Sequence, residues 1–299
     1  MNPNTQSSLQ AIALVVGATA CFATLDTATK FISASVTVVL VMWVRFTLQT
    51  VSTFSIVWPR HGKALWHTAR PSLQLARALS LLASSTLAFF SLKLLPVADF
   101  TAIVMLTPLL MTLVSATALG ERVSLLRWVL VFAGFCGALL VIRPGHDTFA
   151  WASLLPLALV VVSASFQLLT SELAKHDSAA TIHFYTGCVG LACTSVAIPF
   201  FWQGVPPWPV SGLLLLVAVC SNLGHLLLLL GYARAPVATL TPYLYMQIPF
   251  ASLGGWLVFA RTPDAWSVLG MVVIGLSGAA GTWVAALERQ RDVRVILDA

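Results

Sequence analysis

Apolar residues run through this chain in continuous blocks, separated by short polar or proline-bearing connections. The blocks lie at about 9–31, 36–58, 71–93, 96–118, 124–142, 150–171, 179–201, 210–232, 237–259 and 266–286. Each is close to the roughly 20 residues that a helix needs to cross a hydrocarbon core about 30 Å thick. In hydrocarbon every backbone polar group must pair within a helix or a closed barrel. The blocks are continuous rather than alternating, which selects helices over a barrel. The pattern predicts an all-α integral membrane protein with ten transmembrane helices.

Composition agrees with the pattern. Of 299 residues, 59% are hydrophobic and 9% charged, with a mean hydropathy of +0.92. An ordinary soluble domain is about 25% charged. A soluble enzyme, a disordered chain and a nucleic-acid-binding domain are therefore excluded. The net charge of +6 is spread singly between apolar blocks, as membrane loops carry it. The first block is read as a span rather than a cleaved signal. Residues 1–8 hold no Lys or Arg, and the block contains Asp26 and Lys30.

With the N-terminus inside, eleven of the 16 basic residues fall on the cytoplasmic side. They include Arg60, Lys63, Arg70, Arg77, Arg122, Arg127, Lys175 and Arg234. Lys30, Lys93, Arg143 and Arg261 fall outside, and Arg45 lies within a span. The bias predicts both termini in the cytoplasm. Trp58, Trp66, Trp128, Trp151, Trp202, Trp208, Trp266 and Trp283 sit near span ends, as an interfacial belt does. Cys21, Cys136, Cys188, Cys193 and Cys220 form no CxxC pair and read as small packing residues.

The chain repeats itself. Pro96-Val97-Ala98 returns as Pro236-Val237-Ala238, a shift of 140, and Thr101 meets Thr241. Gly134-Phe135-Cys136-Gly137-Ala138 returns as Gly275-Leu276-Ser277-Gly278-Ala279, a shift of 141 that Pro108 and Pro249 share. Each half holds five spans. An odd number makes the second half enter the membrane from the opposite side, giving an inverted 5+5 repeat. Such repeats hold a substrate near the midplane and work by alternating access. The halves are 9–143 (helices 1–5) and 150–286 (helices 6–10), followed by a cytoplasmic tail, 287–299.

The fourth span, PVADFTAIVMLTPLLMTLVSATALGE from Pro96 to Glu121, has a mid-helix proline and a terminal Leu-Gly-Glu. With its second copy it resembles the drug/metabolite transporter superfamily, in the ten-helix group built from EamA-type repeats. Arg261 stands where that pattern usually has an acid like Glu121. The resemblance implies a metabolite transporter of a bacterial inner membrane. Within the superfamily, resemblance and chain size favour the exporters of amino acids, including the aromatic exporters of the YddG type.

Polar groups inside spans are the candidate substrate-binding or gating residues, because burial in lipid is costly. Asp26 and Lys30 share a helix face, as a gate, a zwitterion contact or a structural ion pair. Arg45 is the most deeply placed cation, able to steer a carboxylate or to pair with a neighbouring helix. Arg77 reads as an interfacial anchor. Asp99 suits a helix cap and Glu121 an edge cap or gate. Asn222 and His225 share a face of the eighth span, and His225 can change protonation. In the ninth span Tyr243, Tyr245 and Gln247 lie between Pro242 and Pro249, whose missing amides break the helix. Thr107 and Pro108 form the corresponding break in the fourth span. Gln167, Phe89 and Phe90 complete a possible aromatic and amide wall or simply pack. Gly134, Gly137, Gly270, Gly275, Gly278 and Gly281 suit close helix contact, as scaffold or dimer surface.

The sequence thus predicts a secondary transporter moving small metabolites, most simply an exporter of amino acids including aromatic ones. The alternative is an uptake carrier for a nucleotide-derived or vitamin-like metabolite. No GxxxxGK[ST] loop is present, so movement uses a gradient. No paired intramembrane aspartates or His-rich cluster suggests catalysis, a metal or a cofactor. The expected partners are the lipid bilayer and a small-molecule substrate, an amino acid or related metabolite, without nucleic acid. The expected assembly is a monomer or homodimer.

Overall fold

A computed structural model describes residues 3–117, 124–142, 151–173, 175–232, 234 and 240–297. Among these residues all regular structure is helical. The elements are α1 (Pro3–Ile32), α2 (Val38–His61), a 3₁₀ segment (Gly62–Trp66), α3 (Pro71–Leu94), α4 (Val97–Val104) and α5 (Thr107–Thr117). There follow α6 (Leu125–Ile142), α7 (Leu154–Leu173), α8 (Ala179–Phe201), α9 (Trp208–Tyr232), a second 3₁₀ segment (Thr241–Met246), α10 (Gln247–Phe259) and α11 (Ala265–Leu297). Ten spans result, the fourth made of α4 and α5 and the ninth of the 3₁₀ segment and α10. Helices in six spans are long and apolar enough to cross a membrane by length and composition: Leu9–Ile32, Val38–Ile56, Pro71–Leu94, Leu154–Leu173, Ala180–Phe201 and Trp208–Leu228. Shorter apolar helices run Val97–Met111, Leu125–Val141 and Ala265–Gly281.

The expected tail beyond 286 continues α11 as far as Leu297. Its Leu, Glu, Arg and Gln residues are good helix formers. The junction at 143–150, Glu121 and the Pro236-Val237-Ala238 copy lie outside the described residues.

The helix breaks follow from missing amides. Pro108 cannot donate to the carbonyl of Val104 four residues back. The Thr107 hydroxyl donates to that oxygen instead, at 2.7 Å. Pro249 leaves the Tyr245 carbonyl in the same position. There the backbone N–H of Gln247 faces both the Leu244 and Tyr245 carbonyls, and its bond to Leu244, three residues back, is that of the 3₁₀ segment Thr241–Met246.

Helix starts reveal a regularity that the repeat reading passed over. Thr37 caps α2, its side chain accepting from Leu40 N at 3.3 Å. Ser178 caps α8, accepting from Thr181 N at 3.1 Å. Ser124 accepts from Arg127 N at 3.4 Å before α6, and Asp264 from Ser267 N at 2.7 Å before α11. Cap residues recur because a side-chain oxygen satisfies an otherwise unpaired first-turn amide. Pro59 and Pro199 likewise fall inside α2 and α8.

The chain forms two compact units. The first comprises Met1–Thr24, Leu95–Ser153 and Leu223–Ala299; the second comprises Leu25–Leu94 and Leu154–Asn222. In the first unit α6 packs along α11, and α4 packs on α10. A Cβ at Gly270 would stand 2.5 Å from the Gly137 carbonyl oxygen, so only glycine permits that approach. Gly278 is closed by Tyr245 and Gly134 by Leu109, whereas Gly275 and Gly281 have open space around them. In the second unit α2 packs on α8 and α3 on α7 and α8. Gly190 there makes room for the Phe46 ring. Its core joins Ala28, Ile32, Val41, Met42, Phe46, Phe89, Leu214 and Val217. Trp66, Trp128, Trp151, Trp202, Trp208, Trp266 and Trp283 are all exposed, as lipid-interface residues are.

Candidate functional site

Polar side chains also meet within the second unit, beside its apolar core. Arg45 of α2 points its guanidinium between α3 and α9. Nε and Nη2 donate to Ser221 Oγ at 3.2 and 2.9 Å, and Nη1 donates to Ser85 Oγ at 3.2 Å. Nη1 also meets Met42 Sδ at 3.8 Å. Asp26 of α1 is buried and within electrostatic reach of this cation. Lipid excludes such a charge, so its donors are met by hydroxyls and its field by a carboxylate. The result is a fixed cationic seat beside an acid, suited to a polar or zwitterionic ligand.

Lys30, expected on the Asp26 face, donates from Nζ to the Leu92 carbonyl at 2.8 Å. That oxygen lies in the last turn of α3, where unpaired carbonyls favour a cation. Asn222 donates to Ala218 O of its own helix at 3.0 Å. Phe89 is buried and meets the exposed Phe90 edge-on, with ring centroids 5.6 Å apart. Gln167 is exposed. Its neighbour Phe166 turns inward instead, toward Arg77. Gln49 donates to His183 O at 3.2 Å and lies 3.4 Å from His183 Nδ1.

Arg77 is buried rather than anchored at an interface. Nε donates to Thr170 Oγ1 at 2.6 Å, Nη1 donates to Thr186 Oγ1, and the guanidinium lies 4.4 Å from the Phe166 ring centroid. Its sequence neighbours are apolar, so only the approach of α7 and α8 distinguishes this role from snorkelling.

At one end of this unit Asp177 joins two connections. It accepts from Thr68 Oγ1 at 2.5 Å, Ala69 N at 2.9 Å and Gln74 Nε2 at 2.8 Å. Partial burial by itself raises its pKa. The Thr68, Ala69 and Gln74 bonds outweigh that and hold it below the usual carboxylate range. Tyr185 Oη donates to Trp66 O at 2.7 Å, fastening the same connection to α8. Sequence reading missed this junction, because residues 68 and 177 are joined only by the packing of α3 on α7 and α8.

The first unit holds the other candidates. His225 of α9 meets the Phe22 edge at 5.1 Å between ring centroids. Gln247 and Tyr245 are buried, and Tyr243 packs half-buried against Ala11, Val15 and Leu240. The α-helical spacing that would align Tyr243 with Gln247 is absent, because Thr241–Met246 is 3₁₀. The Tyr245 hydroxyl is buried without a hydrogen-bond partner among the described residues. Pro249 is exposed; Pro242 lies in the 3₁₀ segment, its ring outside the described residues. The Thr107 hydroxyl is engaged by Val104, as above, and Pro108 is half-buried.

Residues 9–143 match the EamA-like transporter family. The chain is similar to a riboflavin transporter of Vibrio cholerae, 32% identical over 184 residues, which are 62% of each chain. It is also similar to the pseudopaline exporter CntI of Pseudomonas aeruginosa, 26% identical over 88% of this chain and 92% of the relative. A solved crystal structure shares the fold, with a TM-score of 0.68 at 17% identity over 93% of this chain and 98% of the other. Both relatives are named for transport. The chain is a multi-pass membrane protein whose residues 9–143 match the EamA-like transporter family and which is similar to proteins named as transporters.

Proposed function

We propose that the protein is a gradient-driven carrier of a bacterial inner membrane, taking up a polar, vitamin-like metabolite. The observation that carries this substrate class is the likeness to the riboflavin transporter of Vibrio cholerae. The hydroxyl-lined second unit, with Ser85 and Ser221 around Arg45, supports it by offering hydrogen-bonding groups to a ligand rich in them. Residues 150–286 are read as a second EamA-type repeat. Matched caps at Thr37 and Ser178, matched caps at Ser124 and Asp264, and the parallel breaks at Pro108 and Pro249 support that reading. Inverted halves then give alternating access, and the basic-residue bias puts both termini in the cytoplasm.

Export of amino acids is the second reading. The likeness to a named exporter supports its direction. Asp26 near Arg45 supports a zwitterionic cargo.

Counterflow in proteoliposomes tests both. Vesicles loaded with unlabelled riboflavin, phenylalanine or threonine are offered the labelled compound. Riboflavin exchange above that of empty vesicles, falling at least about tenfold in Arg45→Ala, is the expected result for a site that loses a charge-assisted contact. Amino-acid exchange without riboflavin exchange replaces the first reading with the second. Exchange of none of the three removes both substrate assignments.

A further inference from the structure

The second unit contains a buried cation that the Arg45 seat does not use. Arg77 keeps 8% of its surface open. Its contacts among the described residues are the Thr170 and Thr186 hydroxyls and the Phe166 ring. None of these cancels a positive charge. Among the described residues, the carboxylate bound on this face of α3 is Asp177, which accepts from Gln74, one turn before Arg77.

The hydroxyls are themselves fixed. Thr170 Oγ1 donates to Phe166 O at 2.7 Å, and Thr186 Oγ1 donates to Ile182 O at 2.8 Å. Each threonine proton is therefore engaged on its own helix, and a lone pair is left aimed at the arginine. Phe166 holds one side of the plane through its π face. These contacts use Nε and one donor of Nη1. Both donors of Nη2 have no partner among the described residues. A guanidinium buried in a membrane protein without a balancing acid carries an unmet demand for an anion. Nη2 and the remaining donor of Nη1 are the groups that a planar oxyanion would meet.

We propose that Arg77, positioned by Thr170, Thr186 and Phe166, anchors a binding subsite for the carboxylate of a small organic ligand. The subsite is separate from the Arg45 seat and does not depend on which metabolite is carried. Riboflavin counterflow can fail while this subsite stands, and the reverse.

Thermal unfolding of the purified full-length protein in detergent provides the test. The probes are benzoate, its neutral analogue benzamide, and inorganic phosphate. Benzoate should raise Tm in a saturable manner while benzamide does not. In Arg77→Gln the apparent affinity for benzoate should fall at least about tenfold, the loss expected when a bidentate charged contact is removed. Arg77→Lys keeps the charge but lacks the fork, and Thr186→Val keeps the arginine with one tether gone. Both should weaken benzoate binding, and both provide the answer if Arg77→Gln does not fold. Equal benzoate shifts in the wild type and these variants overturn the proposal. So does a wild type that benzoate does not stabilise. Stabilisation by phosphate alone overturns the carboxylate assignment.

Discussion

Single atoms decide how this chain tolerates its own irregularities. The Thr107 hydroxyl closes on the carbonyl that Pro108 leaves free. Thr107→Val should therefore destabilise the protein by about 1–3 kcal/mol, the cost of an unsatisfied buried polar group, while Thr107→Ser stays near wild type. Thermal unfolding in detergent reads both. Tyr245 is the opposite case, since its buried hydroxyl has no partner among the described residues. Tyr245→Phe should be neutral or stabilising on the same measurement. An alanine Cβ at Gly278 would stand 1.8 Å from that hydroxyl oxygen. Gly278→Ala should thus lose about 1–3 kcal/mol by overpacking, and adding Tyr245→Leu, which removes the hydroxyl together with the Cζ and Cε1 atoms that the Cβ also meets, should recover part of it. A loss in the single variant that the double variant does not relieve would show that the contact is not the cause.

At the scale of elements, caps and connections carry the order. Asp264→Ala removes the acceptor of the Ser267 amide and should cost about 1 kcal/mol, as should Ser178→Ala at the start of α8. The Asp177 junction makes a pH prediction. Its native pKa lies below its ordinary value of 3.8. The folded state therefore binds the proton less readily than the unfolded one. The junction's contribution is present above the unfolded pKa and is lost as pH falls through the native one. Between pH 7 and 5 the Asp177→Asn variant and the wild type should show a constant difference in Tm. Below about pH 4 that difference should shrink as the wild type loses its advantage. A difference that does not change down to pH 3 would remove Asp177 as its source. Cap residues are legible in sequence, because Ser, Thr, Asp and Asn before an apolar block have one common use. The Asp177 junction is not, because nothing near residue 68 or residue 177 names the other.

For the whole molecule, the continuous apolar blocks, the odd number of spans in each half and the basic-residue bias could be read without coordinates. They follow from lipid itself, which demands fixed helix lengths and satisfied backbone groups whatever the neighbours. The sequence alone determined ten spans, the position of the proline breaks and the membrane solvent. Tertiary structure decided which polar groups meet. Arg45 came to Ser85 and Ser221, far along the chain, and Arg77 turned from an apparent interfacial anchor into a buried cation. Gln167 went to the surface while Phe166 turned inward. Tyr243 and Gln247 lost their common face to a tighter turn. Hydropathy is a sum over neighbours along the chain and survives any packing. A polar contact depends on helix rotation by a single residue, about 100°, and only the neighbouring helices set that rotation.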